Sequence, residues 1–189
     1  IAVIHNGIIE NFAPLRDVLI AAGVMLSSET DSEIVAHLLA RALPEVDQDL
    51  AAAMQSVCPR LEGAFTLVAM DPNDPSLVVG ARRNSPLVVG LSEGENFLAS
   101  DVAAFVDHTR NALELGQDQI VVVRADGVEV RDFAGTQVEA KPYVVDWDAS
   151  AAEKGGYDLF MLKEIAEQPK AVADALRGRI DAEQRIQLD

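Results

Sequence analysis

IAVIHNGIIEN, residues Ile1 to Asn11, decides how the chain is read. Ile1, Val3 and Ile4 suit a buried strand, whereas Asn6 and Gly7 interrupt the apolar run, so the strand is expected to stop at a polar corner before a helix. Gly allows a close backbone approach, and its N–H can point at a bound atom. Asn6 adds a side-chain amide donor beside it. Such a pair is the minimum equipment of an oxyanion hole, where losing one donor costs about 2.7 to 4 kcal/mol of transition-state stabilisation. The same residues also suit a plain strand-to-helix turn, and only the surrounding sequence chooses.

Downstream of the corner the pattern is helical. Asn11 is placed to cap a helix with Pro14 in its first turn, Leu15, Val18, Leu19 and Ala22 on its apolar side, and Gly23 at its end. Val24 to Leu26 reads as a short strand. A second helix starts at Thr30 or Asp31, buries Ile34, Val35, Leu38 and Leu39, and closes at Pro44. A third runs from about Asp47 to Cys58, with Leu50, Met54, Val57 and Leu61 on its apolar face. Cys58 is the single cysteine, which excludes an internal disulfide and a cysteine metal pair, and its place beside that stripe favours burial over nucleophilic use.

From Ala64 the period becomes that of strands. Ala64–Met70 and Ser76–Ala81 form a hairpin around the double-proline turn Asp71 to Pro75, and Pro86–Leu91 with Asn96–Ala99 form another, implying antiparallel sheet structure. Ser100 and Asp101 start a short helix over Val102 to Val106. Gln119–Arg124 pairs with Val128–Phe133 across Asp126-Gly127, and Tyr143–Trp147 is a last strand. Helices first and hairpins afterwards describe an α+β domain. Small, Gly-rich residues at 148 to 157 suit a linker, and Leu159 to Leu176 has helical periodicity interrupted by Pro169, giving two short helices or a kinked one that docks on a further domain.

Composition narrows the function. A formal charge of -16 without a basic stripe argues against nucleic acid and anionic membranes. No apolar run reaches bilayer length, so a soluble cytoplasmic protein is the default expectation. The sequence opens without Met and already inside a strand, which suggests a piece of a longer chain. No HExxH, GxGxxG or GxxxxGK[ST] occurs, so no metal, nucleotide or other cofactor is expected. His5, His37 and His108 read as structural, with Glu33 one turn before His37 on a helix surface.

Six segments carry a resemblance: HNGIIEN at 5–11, SSETDSE at 27–33, LEGAF at 61–65, ARRNSPLVVG at 81–90, FLASD at 97–101 and FMLKEIAEQP at 160–169. In order and approximate spacing they resemble the glutaminase part of the isomerising glutamine:fructose-6-phosphate aminotransferases. HNG alone fits any class-II glutamine amidotransferase, whereas the last segment resembles that family's junction with its sugar-isomerase domain.

The resemblance implies an N-terminal-nucleophile hydrolase fold, a four-layer αββα arrangement truncated at its N-terminus. Residues 1–147 would be part of the glutaminase domain, 148–158 a linker and 159–189 the start of the sugar-isomerase domain. The implied reaction hydrolyses glutamine and passes ammonia to fructose 6-phosphate, giving glucosamine 6-phosphate and glutamate, in a homodimer joined largely through the isomerase half. Asn6 and the Gly7 N–H would form the oxyanion hole, and Gly7 and Asp31, in the T-D-x-E motif, would bind glutamine. Asp31 equally suits a helix N-cap, and the two roles can coexist. The family's N-terminal cysteine nucleophile and its arginine clamp would lie upstream of Ile1. Cys58 does not match the nucleophile, Arg82 and Arg83 read as surface residues, and the stretch alone is expected to be inactive. Another class-II amidotransferase, or a non-catalytic glutaminase-like module, are the alternatives.

Overall fold

The computed structural model describes residues 1–146, 155–177, 179 and 185. The chain divides into two units, Ile1–Asp148 and Ala149–Asp189.

In the first unit, strand β1 (Ala2–Ile9) is followed by helices α1 (Phe12–Ala21), α2 (Asp31–Ala42) and α3 (Leu50–Val57), then by strands β2 (Gly63–Asp71), β3 (Asp74–Arg83), β4 (Val88–Leu91), β5 (Asn96–Ala99), β6 (Asn111–Glu114), β7 (Gln119–Arg124), β8 (Gly127–Asp132) and β9 (Lys141–Val144). Five strands form one antiparallel sheet in the order β1-β2-β3-β7-β8, and four form a second in the order β5-β4-β6-β9. The helices cover one face of the five-stranded sheet through a core that includes Leu39, Met54, Leu61, Phe65, Leu67 and Val79. The other face meets the second sheet through Leu87, Val89, Leu115, Val121, Val123 and Val130. Helix, sheet and sheet are therefore three stacked layers among the described residues of this unit: the α+β order expected from the sequence, with three of the four αββα layers that the resemblance implied.

Local chemistry sets the helix ends. Helix α1 stops where Gly23 takes φ +83°, with Gly23 N–H donating to the Ile20 carbonyl (2.9 Å) and Val24 N–H to the Leu19 carbonyl (3.0 Å). Leu15 and Leu19 are its buried residues; Val18 and Ala22, expected on the same side, are exposed because only a narrow stripe reaches the core. Val24 to Leu26 forms no strand, since the chain there is spent on closing the helix. Thr30 caps α2, its hydroxyl accepting from Glu33 N–H (3.4 Å), and Ile34, Val35, Leu38 and Leu39 are buried as anticipated. The third helix begins at Leu50, capped by Asp49.

The two successive hairpins do not share a sheet. After β3, Asn84 turns with φ +52° and the Pro86 carbonyl accepts from the Thr66 hydroxyl (2.9 Å), so the chain leaves the first sheet and re-enters in the second. Strand β6, which joins β4 to β9, has four residues and carries no alternation strong enough to be found in the sequence. The expected strand at Tyr143–Trp147 is observed at Lys141–Val144; Trp147, like residues 148–154 of the expected linker, lies outside the described residues.

In the second unit, Phe160–Leu176 is one helix, α4, and not two. Pro169 removes the hydrogen bond to the Ile165 carbonyl, but Ile165 is exposed and water can satisfy that oxygen. No described helix is long and apolar enough to cross a membrane.

Candidate functional site

Strand β1 does not end at the Asn-Gly pair. It pairs with β2 from Ala2 to Ile9, Asn6 opposite Thr66 and Gly7 opposite Phe65. The pairing survives because residue 7 has no side chain: its φ is +136°, and a Cβ there would lie 2.1 Å from the Ala64 carbonyl oxygen. Glu10 N–H donates to the Glu62 carbonyl (2.9 Å), whereas Ile9 N–H turns the other way, to Asp31. Alternation along the strand therefore sends the Gly7 N–H away from β2, to the same open edge as the Ile9 N–H. Asn6 is exposed and its carboxamide makes no hydrogen bond among the described residues. Ile1, just before the strand, and Val3 within it pack against the helical core, while Ile4 is 72% exposed, contrary to the buried position expected for it.

Asp31 stands at the first residue of α2, over the same edge. Its Oδ2 accepts from Ile9 N–H at 2.9 Å, and its Oδ1 lies 3.4 Å from His5 Nδ1. His5 Nδ1 is also 3.1 Å from the Ser32 hydroxyl, which in turn lies 3.5 Å from Asp31 Oδ1. Helix α2 caps itself with Thr30, so Asp31 is released from capping and binds strand β1 instead. Ile9 follows Gly7 by one strand repeat, roughly 6.6 Å. A backbone donor and a carboxylate thus share one edge at a short, fixed spacing.

Two clamps hold this edge. Asn11 does not cap α1: its Nδ2 donates to the Arg60 carbonyl (2.8 Å) and its Oδ1 accepts from Glu62 N–H (3.0 Å), tying the end of β1 to the start of β2. Glu33 folds back over the turn before α2, accepting from Ser27 N–H (2.7 Å), Ser28 N–H (2.6 Å) and the Ser28 hydroxyl (2.6 Å). The Ser28 hydroxyl first, and then the Ser27 N–H, lower its pKa to about 2. Glu33 also lies 3.5 Å from His37, the helix-surface pair expected from their spacing.

Arg83 is no surface residue. Its guanidinium lies over Phe65 and Phe133, 5.7 and 5.0 Å from their ring centroids, and donates to Asp118 (2.6 Å) and to the Leu61 carbonyl (2.6 Å). Arg82 is likewise half-buried, donating to the Leu115 carbonyl (2.6 Å). Cys58 is fully buried and burial pushes its thiol pKa far up, the opposite of what a nucleophile needs. Among the described residues no group of His, Cys, Asp and Glu could hold a metal ion.

The family model of a glutamine amidotransferase domain matches residues 1–107. The chain belongs to the glutamine amidotransferase domain family. All of this amidotransferase chain aligns with a glutamine–fructose-6-phosphate aminotransferase [isomerizing] of Streptomyces coelicolor, 66% identical over 189 residues that make up 31% of that protein. A protein of the same name from Mycobacterium tuberculosis is 55% identical over 185 residues, covering 94% of this chain and 30% of its own length. The chain spans about a third of the length of these curated relatives. Two solved structures share its fold: the glutamine phosphoribosylpyrophosphate amidotransferase of B. subtilis (TM-score 0.58, 23% identity, 70% of this chain and 29% of that one) and an allosteric regulatory enzyme of purine biosynthesis (TM-score 0.59, 24% identity, 70% and 28%). The amidotransferase fold here is accordingly the N-terminal-nucleophile hydrolase type expected from the sequence.

Sequence reading singled out Asn6, Gly7 and Asp31, and all three lie at one edge. It passed over the buried contact of His5 with Ser32 and the clamp made by Asn11. Alternation could have found the first, because His5 shares its strand face with Val3 and Ile9, where a polar side chain needs a partner.

Proposed function

We propose that this chain is part of an isomerising glutamine:fructose-6-phosphate aminotransferase, with residues 1–147 in its glutaminase domain, 148–158 a linker and 159–189 the opening of its sugar-isomerase domain. The observation that carries the reading is the Gly7 N–H at the open edge of β1, one strand repeat from an Asp31 carboxylate anchored on Ile9. In this mechanism the α-ammonium group of glutamine meets Asp31 in a charge-assisted hydrogen bond. That contact lays the side-chain carboxamide along β1 beside Gly7. A thiolate from outside this stretch attacks the carboxamide carbon, and the negative charge developing on oxygen is met by the Gly7 N–H and the Asn6 side-chain amide. Collapse expels ammonia, and hydrolysis of the thioester returns glutamate.

Ammonia then aminates fructose 6-phosphate in the isomerase domain of a cytoplasmic homodimer. Close identity over the whole chain to aminotransferases of that name favours this reading over a phosphoribosyl-transferring one, whose representatives share only the fold. The outward-facing Leu159, Phe160, Met161, Leu162 and Ile165 of the second unit suit a segment that continues into a further packed domain. The test is glutamine hydrolysis by the full-length protein. Asn6→Ala lowers kcat by about 100- to 1,000-fold with KM little changed, and Asp31→Asn raises KM. A rise in KM for Asn6→Ala with kcat intact overturns the assignment.

A further inference from the structure

We propose that His5 is a positioning residue for Asp31: acting directly and through Ser32, it fixes the carboxylate that receives the α-ammonium group of glutamine. The inference rests on the role given to Asp31 above and adds to it a buried arm that sets that role.

The His5 side chain is 2% exposed, under the start of α2. Its Nδ1 faces the Ser32 hydroxyl at 3.1 Å and Asp31 Oδ1 at 3.4 Å, and the hydroxyl faces the same Oδ1 at 3.5 Å. An ionised carboxylate can only accept, so the proton of the imidazole belongs on Nδ1, and Ser32 passes its own hydrogen toward Asp31. The other oxygen, Oδ2, is taken by Ile9 N–H. Each carboxylate oxygen is thus held by donors of the protein, and both the position and the plane of the group are set before a ligand arrives.

Two features separate this arm from simple packing. First, His5 Nε2 is buried without a hydrogen-bond partner among the described residues. An imidazole serving only to fill space at that position would carry an uncompensated polar atom, where leucine would carry none. The donor at Nδ1 is what the site uses. Second, no Lys or Arg lies within ion-pair distance of Asp31 among the described residues. Hydrogen-bond donors orient the carboxylate without a guanidinium or lysine ammonium of the protein beside it, either of which would compete with the ligand at the same place.

The experiment uses the full-length protein and reads kcat and KM for glutamine together with inhibition by glutamate and by glutarate, which lacks the amine. The side-chain nitrogen of Asn falls near the place of Nδ1 and that of Gln near the place of Nε2. His5→Gln is expected to raise KM about five- to tenfold, keep kcat within about twofold, and cut the preference for glutamate over glutarate by the same factor as the KM change. His5→Asn keeps that preference within about twofold, and Ser32→Ala loses about threefold. Equal behaviour of His5→Asn and His5→Gln, or loss of kcat with the preference intact, overturns the proposal. Should the histidine variants fail to fold, an unchanged preference in Ser32→Ala overturns it by itself. Asp31→Asn separates the two levels: if it leaves the preference unchanged, the role of Asp31 fails; if it abolishes the preference while His5→Gln and Ser32→Ala do not alter it, only the positioning role of His5 fails.

Discussion

The two faces of β1 meet unlike surroundings. On one, Val3, His5 and Ile9 lie against the helical core, and Ile9 and the His5 side chain are almost fully buried. On the other, Ile4 (72%), Asn6 and Ile8 (66%) are exposed. The strand is therefore braced from one side, and the donors proposed to meet a substrate sit on its open edge and face. Rigid support and ligand access are divided between alternate residues of a single strand, a separation that the period of two makes possible.

Substitutions on the two faces sharpen that contrast. The largest loss is expected from Phe65→Ala, which empties the core beneath β1 and removes the ring on which Arg83 rests: about 3 to 5 kcal/mol in denaturant unfolding of the first unit. Gly7→Ala follows, at about 3 kcal/mol, because its Cβ would strike the backbone of β2 and residue 7 would keep a positive φ. It should also abolish glutamine hydrolysis, and an unfolding midpoint equal to that of the unaltered protein would contradict the strand pairing described.

Asn11→Ala releases the clamp between the two strand ends. A loss of about 1 to 2 kcal/mol is expected, with hydrogen exchange speeding at Glu62 N–H, and unaltered protection there would show that the clamp carries nothing. Glu33 gives a pH-dependent effect. Its carboxyl is held at about 2 against an ordinary 4.5, so its contribution is fully present above 4.5 and is lost as pH falls through about 2. Glu33→Gln should therefore differ from the unaltered protein by a constant amount above pH 4.5, and the difference should shrink toward pH 2. A gap that is flat over this range would remove the Ser27–Ser28 bonds as its source. The smallest effect belongs to the exposed face: Ile4→Thr should stay within about 0.5 kcal/mol.

Local rules settled much of the molecule from sequence. The helix end at Gly23, the buried stripe of α2 and the burial of Cys58 each depend on a few neighbouring residues, and each was legible; the sequence leaves the start of α2 between Thr30 and Asp31, and it is Thr30 that caps. The pairing of β7 with β8 was legible as well, because a short connection leaves a strand little choice of partner. Asn6, Gly7 and Asp31 stand out in the sequence as a motif only, and the edge they share is a matter of tertiary geometry.

Tertiary contacts decided the rest. Whether β1 stops or continues at Gly7 depends on how closely Ala64 approaches, and Ala64 is 57 residues away in sequence. Asn11 and Arg83 carry polar groups suited to caps and surfaces, and both are claimed by the segment at 60–62, which no local pattern places beside them. The assignment of two hairpins to two sheets follows from the turn at Asn84 and from which faces can be buried together. Sequence by itself fixed which residues favour helix, strand or turn, since those preferences are set within a few bonds. Partners distant along the chain decided where the site's donors point, because a hydrogen-bonding group turns toward whatever folding brings within about 3 Å of it.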